Sequence, residues 1–64
     1  MSLPSSYAKK VSIEHDIEFI EKEIEALQNM EEKPFQELRK SLKVRLTTLQ
    51  QCLEKTIELL RLNE

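Results

Sequence analysis

Ile13, Ile17, Ile20, Ile24 and Leu27 recur at alternating steps of four and three residues, with polar side chains at nearly every position between them. On an α-helix this spacing draws one narrow stripe, the seam of a coiled coil. Farther along, Phe35, Leu38, Leu42, Leu46, Leu49, Leu53, Ile57 and Leu60 repeat in steps of three, four and four. That is an eleven-residue period, whose stripe runs straight or drifts slightly to the right. The pattern predicts two amphipathic helices, at about 12–29 and about 34–62.

Between the stripes lies Asn29-Met30-Glu31-Glu32-Lys33-Pro34. Pro34 cannot extend a helix that precedes it but suits the first turn of a new one, and Asn29 can close the old one. These residues predict a turn at about 30–33. The start of the first helix is less sharply marked. Ser12, followed by Glu14 and Asp16, makes a good N-cap with acids in the first turn. Ser5 or Ser6 offers an earlier start, but Lys9 and Lys10 would then oppose the helix dipole. Residues 1–11 therefore read as an arm, helical at most in part, ahead of a hairpin at 12–64.

Facing residues of an antiparallel hairpin have numbers that add to a constant, and the two stripes pass this check. Leu27 with Phe35, Ile24 with Leu38, Ile20 with Leu42 and Ile13 with Leu49 each give 62, and Ile17 with Leu46 gives 63. The implied centre falls at residue 31, inside the turn. Charge agrees with the same fold. Residues 12–32 hold eight acids and one base, whereas 33–45 hold five bases and one acid. Glu14, Glu18, Glu21 and Glu25 form a stripe beside the first seam, opposite Arg39 and Lys43, so Glu25 is expected to meet Arg39 and Glu21 to meet Lys43. Exposed pairs contribute only about 0.2–1 kcal/mol each. They orient the helices more than they hold them.

Composition narrows the function. The chain has 64 residues, no glycine, one cysteine, one histidine and a net charge of −2. Lack of glycine argues against hairpin-rich β folds and Gly-rich phosphate loops, whose turns use positive φ. An all-α antiparallel two-helix hairpin remains. A core this small rarely supplies more than about 3–5 kcal/mol without disulfides, metal or oligomerisation. One cysteine and one histidine provide neither a disulfide nor a metal cage. A four-helix bundle, completed by dimerisation or by helices of another protein, is the expected source of further stability. No apolar run approaches a membrane span and the N-terminus has no apolar signal segment, so a soluble intracellular location is expected.

By the same register, Leu53, Ile57 and Leu60 face Lys10, Ser6 and Leu3, which gives them little to bury against. Cys52 and Leu59 widen this apolar patch toward Ser41, Arg45 and Thr48. The pattern points to a noncatalytic interaction or oligomerisation module. Cys52, Leu53, Ile57, Leu59 and Leu60 dock the partner, and Phe19, on the outside of the first helix, adds a second contact. The competing expectation is that the arm folds back and covers the patch with Leu3, Tyr7, Ala8 and Val11.

Other chemistry finds less support. His15 lies on the face of the first helix away from the seam, without the cleft and orienting partner a general base needs. Cys52 has no histidine near it and reads as a small packed residue. The carboxylate stripe lacks the convergent geometry of a calcium loop. No cofactor, metal or catalytic group is expected. The rival function is a small dimeric RNA-binding regulator that uses the basic segment 33–45, with Lys33, Arg39, Lys40 and Lys43. Against it stand the acidic neighbouring helix and the absence of stacking aromatics. A membrane-surface role is disfavoured, because no basic face borders the apolar segment.

Overall fold

The computed structural model describes residues 5–62, which form α1 (Ser5–Leu27) and α2 (Lys33–Leu62). The two helices pack against each other as a hairpin. The resulting body measures 49 × 19 × 12 Å, a flat layer one helix thick. At about 1.5 Å per residue, α2 accounts for nearly the whole long dimension. A layer of two helices has one internal seam and two broad faces. Side chains in the seam meet the other helix, and those on the faces meet water or a partner.

α1 begins at Ser5, earlier than the Ser12 cap suggests. Nothing in residues 7–12 breaks a helix, so Ser12 sits as an exposed residue within it. Lys10, unfavourable near a helix N-terminus, is answered one turn on by Glu14, whose carboxylate lies 3.2 Å from the Lys10 ammonium. The early start lets α1 run alongside the C-terminal part of α2, and Leu53, Ile57 and Leu60 are half-buried there. Val11 is half-buried too, whereas Tyr7 and Ala8 remain exposed. Leu3, the remaining residue of the expected cover, lies outside the described residues.

The α1 seam follows its predicted stripe. Ile13 and Ile20 are the most deeply buried apolar side chains, at 7% and 4% exposure. Ile17, Ile24 and Leu27 are half-buried.

The α2 seam does not keep the eleven-residue period. Its least exposed positions are Phe35, Arg39, Leu42, Leu46, Leu49, Leu53, Thr56 and Leu60, with Ile57 alongside. These recur in steps of four and three, the same period as α1. Leu38, predicted for the seam, is left 47% exposed. The cause is geometric: a stripe of period 3.5 on one helix can stay in register only with a stripe of the same period on its partner. At two layers the α2 residue at that spacing is polar. Arg39 replaces Leu38, and Thr56, 4% exposed, is more buried than Ile57.

Both polar substitutions in the seam are satisfied. The Thr56 hydroxyl donates to the Cys52 carbonyl at 2.9 Å, one turn back. This bond removes the penalty of burying a free hydroxyl. Arg39 reaches the end of α1. Its Nη1 donates to the carbonyl of Leu27 at 2.6 Å and to that of Gln28 at 3.2 Å. Helix C-termini leave four carbonyls without partners, and a residue in the left-handed region usually serves them. Among the described residues none has positive φ. In this glycine-free turn the Gln28 and Met30 backbone N–H groups donate to the Glu25 and Leu27 carbonyls at 3.2 and 3.1 Å, and the Arg39 guanidinium adds its bonds to those of Leu27 and Gln28, where its charge also suits the negative end of the α1 dipole.

At the other side of the turn, the Glu32 carbonyl accepts from the backbone N–H groups of Phe35 and Gln36 at 3.0 and 3.1 Å, which starts α2. Pro34 occupies the first turn of α2, where a missing N–H costs nothing. The Gln36 side chain donates to the Glu31 carbonyl at 2.7 Å and ties the turn to the new helix.

Candidate docking face

Positions beside a seam of period seven divide between the two broad faces of the layer. On one flank of α2 stand Leu38, Arg45, Cys52 and Leu59, with Ser41, Thr48, Lys55 and Leu62 one step farther out. The matching flank of α1 carries Lys9, Asp16 and Glu23, with Ser12, Phe19 and Ala26 farther out. In an antiparallel pair like flanks share a side. The structure shows this directly: Asp16, Phe19, Ile20, Glu23, Leu42 and Arg45 line a single groove. This side is the apolar face. It bears Phe19 at 64%, Leu59 at 53% and Leu62 at 76% exposure, together with Leu38 and the exposed thiol of Cys52.

The opposite face differs in kind. α1 contributes Glu14, Glu18, Glu21 and Glu25, and α2 contributes Gln36, Lys40, Lys43 and Gln50, all exposed. Its apolar residues are Tyr7, exposed, and Val11 and Ile57, half-buried. Cross-helix ion pairs between Glu25 and Arg39 or Glu21 and Lys43 do not form. Among the described residues the ion pairs are Lys10 with Glu14 and Lys22 with Glu18 at 3.5 Å, each within α1. Arg39 is drawn to the α1 carbonyls instead, because a partly buried guanidinium gains more from fixed acceptors than from a mobile surface carboxylate.

The residues expected to dock a partner are thus divided. Cys52, Leu59 and Phe19 share the apolar face and are exposed. Leu53, Ile57 and Leu60 lie in or against the hairpin seam and are half-buried. Two residues of the face were not expected to dock. Leu38 belongs to it because the seam changed period at that layer. Leu62 lay past the last predicted seam position, although it extends the flank by the same three-residue step.

The remaining chemistry is sparse. His15 and the four carboxylates of the α1 stripe are exposed. Among the described residues no group of three or more His, Cys, Asp and Glu side chains is placed to hold a metal ion. No described helix is long and apolar enough to cross a membrane. A shallow cleft on α2 gathers Lys33, Arg39, Lys40 and Lys43 with Gln36 and Glu37. It is open and built from one helix, so it gives anions a positive surface but no enclosure. No protein-family model, curated protein or solved structure matches the chain.

Proposed function

We propose that this chain is a noncatalytic helical interaction module that docks through the apolar face of its hairpin. The observation that carries this reading is the asymmetry of the two faces. Among the described residues no side chain is fully buried, and only Ile13 and Ile20 are buried apolar residues. Meanwhile Phe19, Leu38, Leu59 and Leu62 are exposed together on one side. An apolar patch of this kind on a small body is a contact surface or an aggregation liability. Packing helices against it would convert one seam into the shared core of a bundle. The docking site is the Leu38, Cys52 and Leu59 flank, because Leu53 and Leu60 already serve the hairpin.

The test is sedimentation equilibrium of the intact chain and of a Leu38→Asp/Leu59→Asp variant under reducing conditions, with helicity followed by circular dichroism. The intact chain should be heavier than a monomer. The variant should be monomeric with its helices retained, since neither residue is in the seam. A wild-type monomer that unfolds cooperatively with more than about 5 kcal/mol, the stability of an ordinary domain, would sink this reading, because such a hairpin needs no partner.

A second reading, RNA binding, has the basic cleft in its favour. Lys33→Glu with Lys40→Glu should then reduce affinity for mixed RNA and flatten its salt dependence. Salt-insensitive or undetectable binding by the intact chain removes this reading.

A further inference from the structure

We infer that the partner on the apolar face is a second copy of this chain, packed antiparallel about a twofold axis that passes beside Thr48. The inference rests on the docking reading above and names its partner. A twofold contact requires a surface that complements itself when reversed. The α2 flank has this property. Leu38 and Leu59 stand ten and eleven residues from Thr48 on opposite sides. Reversing the helix about Thr48 therefore sets Leu38 of one copy against Leu59 of the other, and does so twice. The same reversal sets Arg45 against Cys52 and Ser41 against Lys55, so no residue of the flank meets a like charge at its own level. Thr48 meets itself. Small side chains at the axis and at Ser41 and Cys52 let two helices approach to the about 8–10 Å of ordinary helix packing.

Charge selects the apolar face over the other. Near its middle the apolar face places Asp16 and Glu23 in one groove with Arg45, acids and base together. On the opposite face the same reversal sets Glu14, level with Thr48 across the hairpin, against its own copy, and two carboxylates so placed repel. Area is sufficient. The outline of a face of 49 by 19 Å is roughly 900 Å², of the same order as the about 800 Å² of surface each partner buries in a standard stable interface.

The arrangement is tested by cysteine placement. Thr48→Cys in a Cys52→Ser background puts two thiols on the axis, where Cα atoms come near the about 4.4–6.8 Å that a disulfide needs. Mild oxidation should link most of that variant into a covalent dimer. The intact chain should stay unlinked, because reversal leaves its two Cys52 residues about seven positions apart along the helices, roughly 10 Å. A Leu38→Cys/Leu59→Cys/Cys52→Ser variant should also link, which guards against a local failure at position 48. Gln50→Cys/Cys52→Ser, on the charged face, should not.

Sedimentation equilibrium of the intact chain should give twice the chain mass. A dimer that links through position 50 and not through 48 or 38/59 overturns both the inference and the choice of face. An assembly that Leu38→Asp/Leu59→Asp dissociates, but that links through neither position 48 nor 38/59, overturns the inference alone. So does a monomer of marginal stability, which leaves the apolar face to helices of another protein. A monomer as stable as an ordinary domain overturns both readings.

Discussion

The two broad faces of this hairpin are built by the same helices and differ in what they can do. The face with the acidic α1 stripe and the α2 residues Gln36, Lys40, Lys43 and Gln50 is finished by water. Its charged side chains are exposed, no cross-helix ion pair forms among the described residues, and its ion pairs Lys10–Glu14 and Lys22–Glu18 stay within α1. The face with Phe19, Leu38, Leu59 and Leu62 leaves large apolar side chains in solvent. At about 25 cal/mol per Å² of apolar surface, each such side chain represents on the order of 1.5–3 kcal/mol that burial would recover. The contrast teaches that a seam satisfies only one stripe of a helix. Apolar residues displaced from the stripe are left for another contact.

The comparison can be broken most severely by placing charge where the apolar face is to pack. In the proposed dimer, Thr48→Glu should lower affinity about 100-fold by bringing two carboxylates together at the axis, as read by sedimentation equilibrium. Gln50→Glu, the same charge on the other face, should leave the mass unchanged. Equal effects at both positions would show that the faces do not differ in this way.

A smaller effect is expected inside the hairpin, common to both faces. Arg39→Ala removes a charged donor to the Leu27 and Gln28 carbonyls, of which Leu27 keeps its bond from the Met30 N–H. It should cost about 1.5–3 kcal/mol, as for hydrogen bonds to a charged group. Denaturant titration at fixed protein concentration reads it, and a loss below about 0.5 kcal/mol, the scale of an ordinary surface change, would remove Arg39 from its capping role. Arg39→Lys should recover part of the loss.

The smallest change sharpens the description of the charged face. Glu21→Gln, on a carboxylate with no ion-pair partner in the structure, should alter stability by less than about 0.5 kcal/mol. A larger loss that vanishes in high salt would reveal a pairing with Lys43 in solution.

Much of the fold can be read from local pattern. The isoleucine stripe of α1, Pro34 and the reversal of charge between 12–32 and 33–45 each point to a hairpin turning near residue 31, and Ile13 and Ile20 are where the stripe places the core. The apolar face proposed to dock a partner was only partly legible. Cys52, Leu59 and Phe19 can be picked out by position on a helical wheel. Leu38 cannot, because leucine at a seam-like spacing reads as seam.

What the sequence determined by itself is therefore the helical character of the chain, the place of the turn and the seam of α1, since these follow from side-chain spacing and from the backbone restrictions of proline. Tertiary structure decided three further matters. It carried α1 back to Ser5, where the local capping signals favour Ser12. It set α2 to the period of α1, so that Arg39 and Thr56 entered the seam and Leu38 left it. It sent the Arg39 guanidinium to the carbonyls of α1 instead of to a glutamate. In each case residues 38 and 39, or 56 and 57, or Ser5 and Ser12, are nearly equal by local propensity. Only the position of the neighbouring helix, with the area it can cover and the carbonyls it presents, separates them.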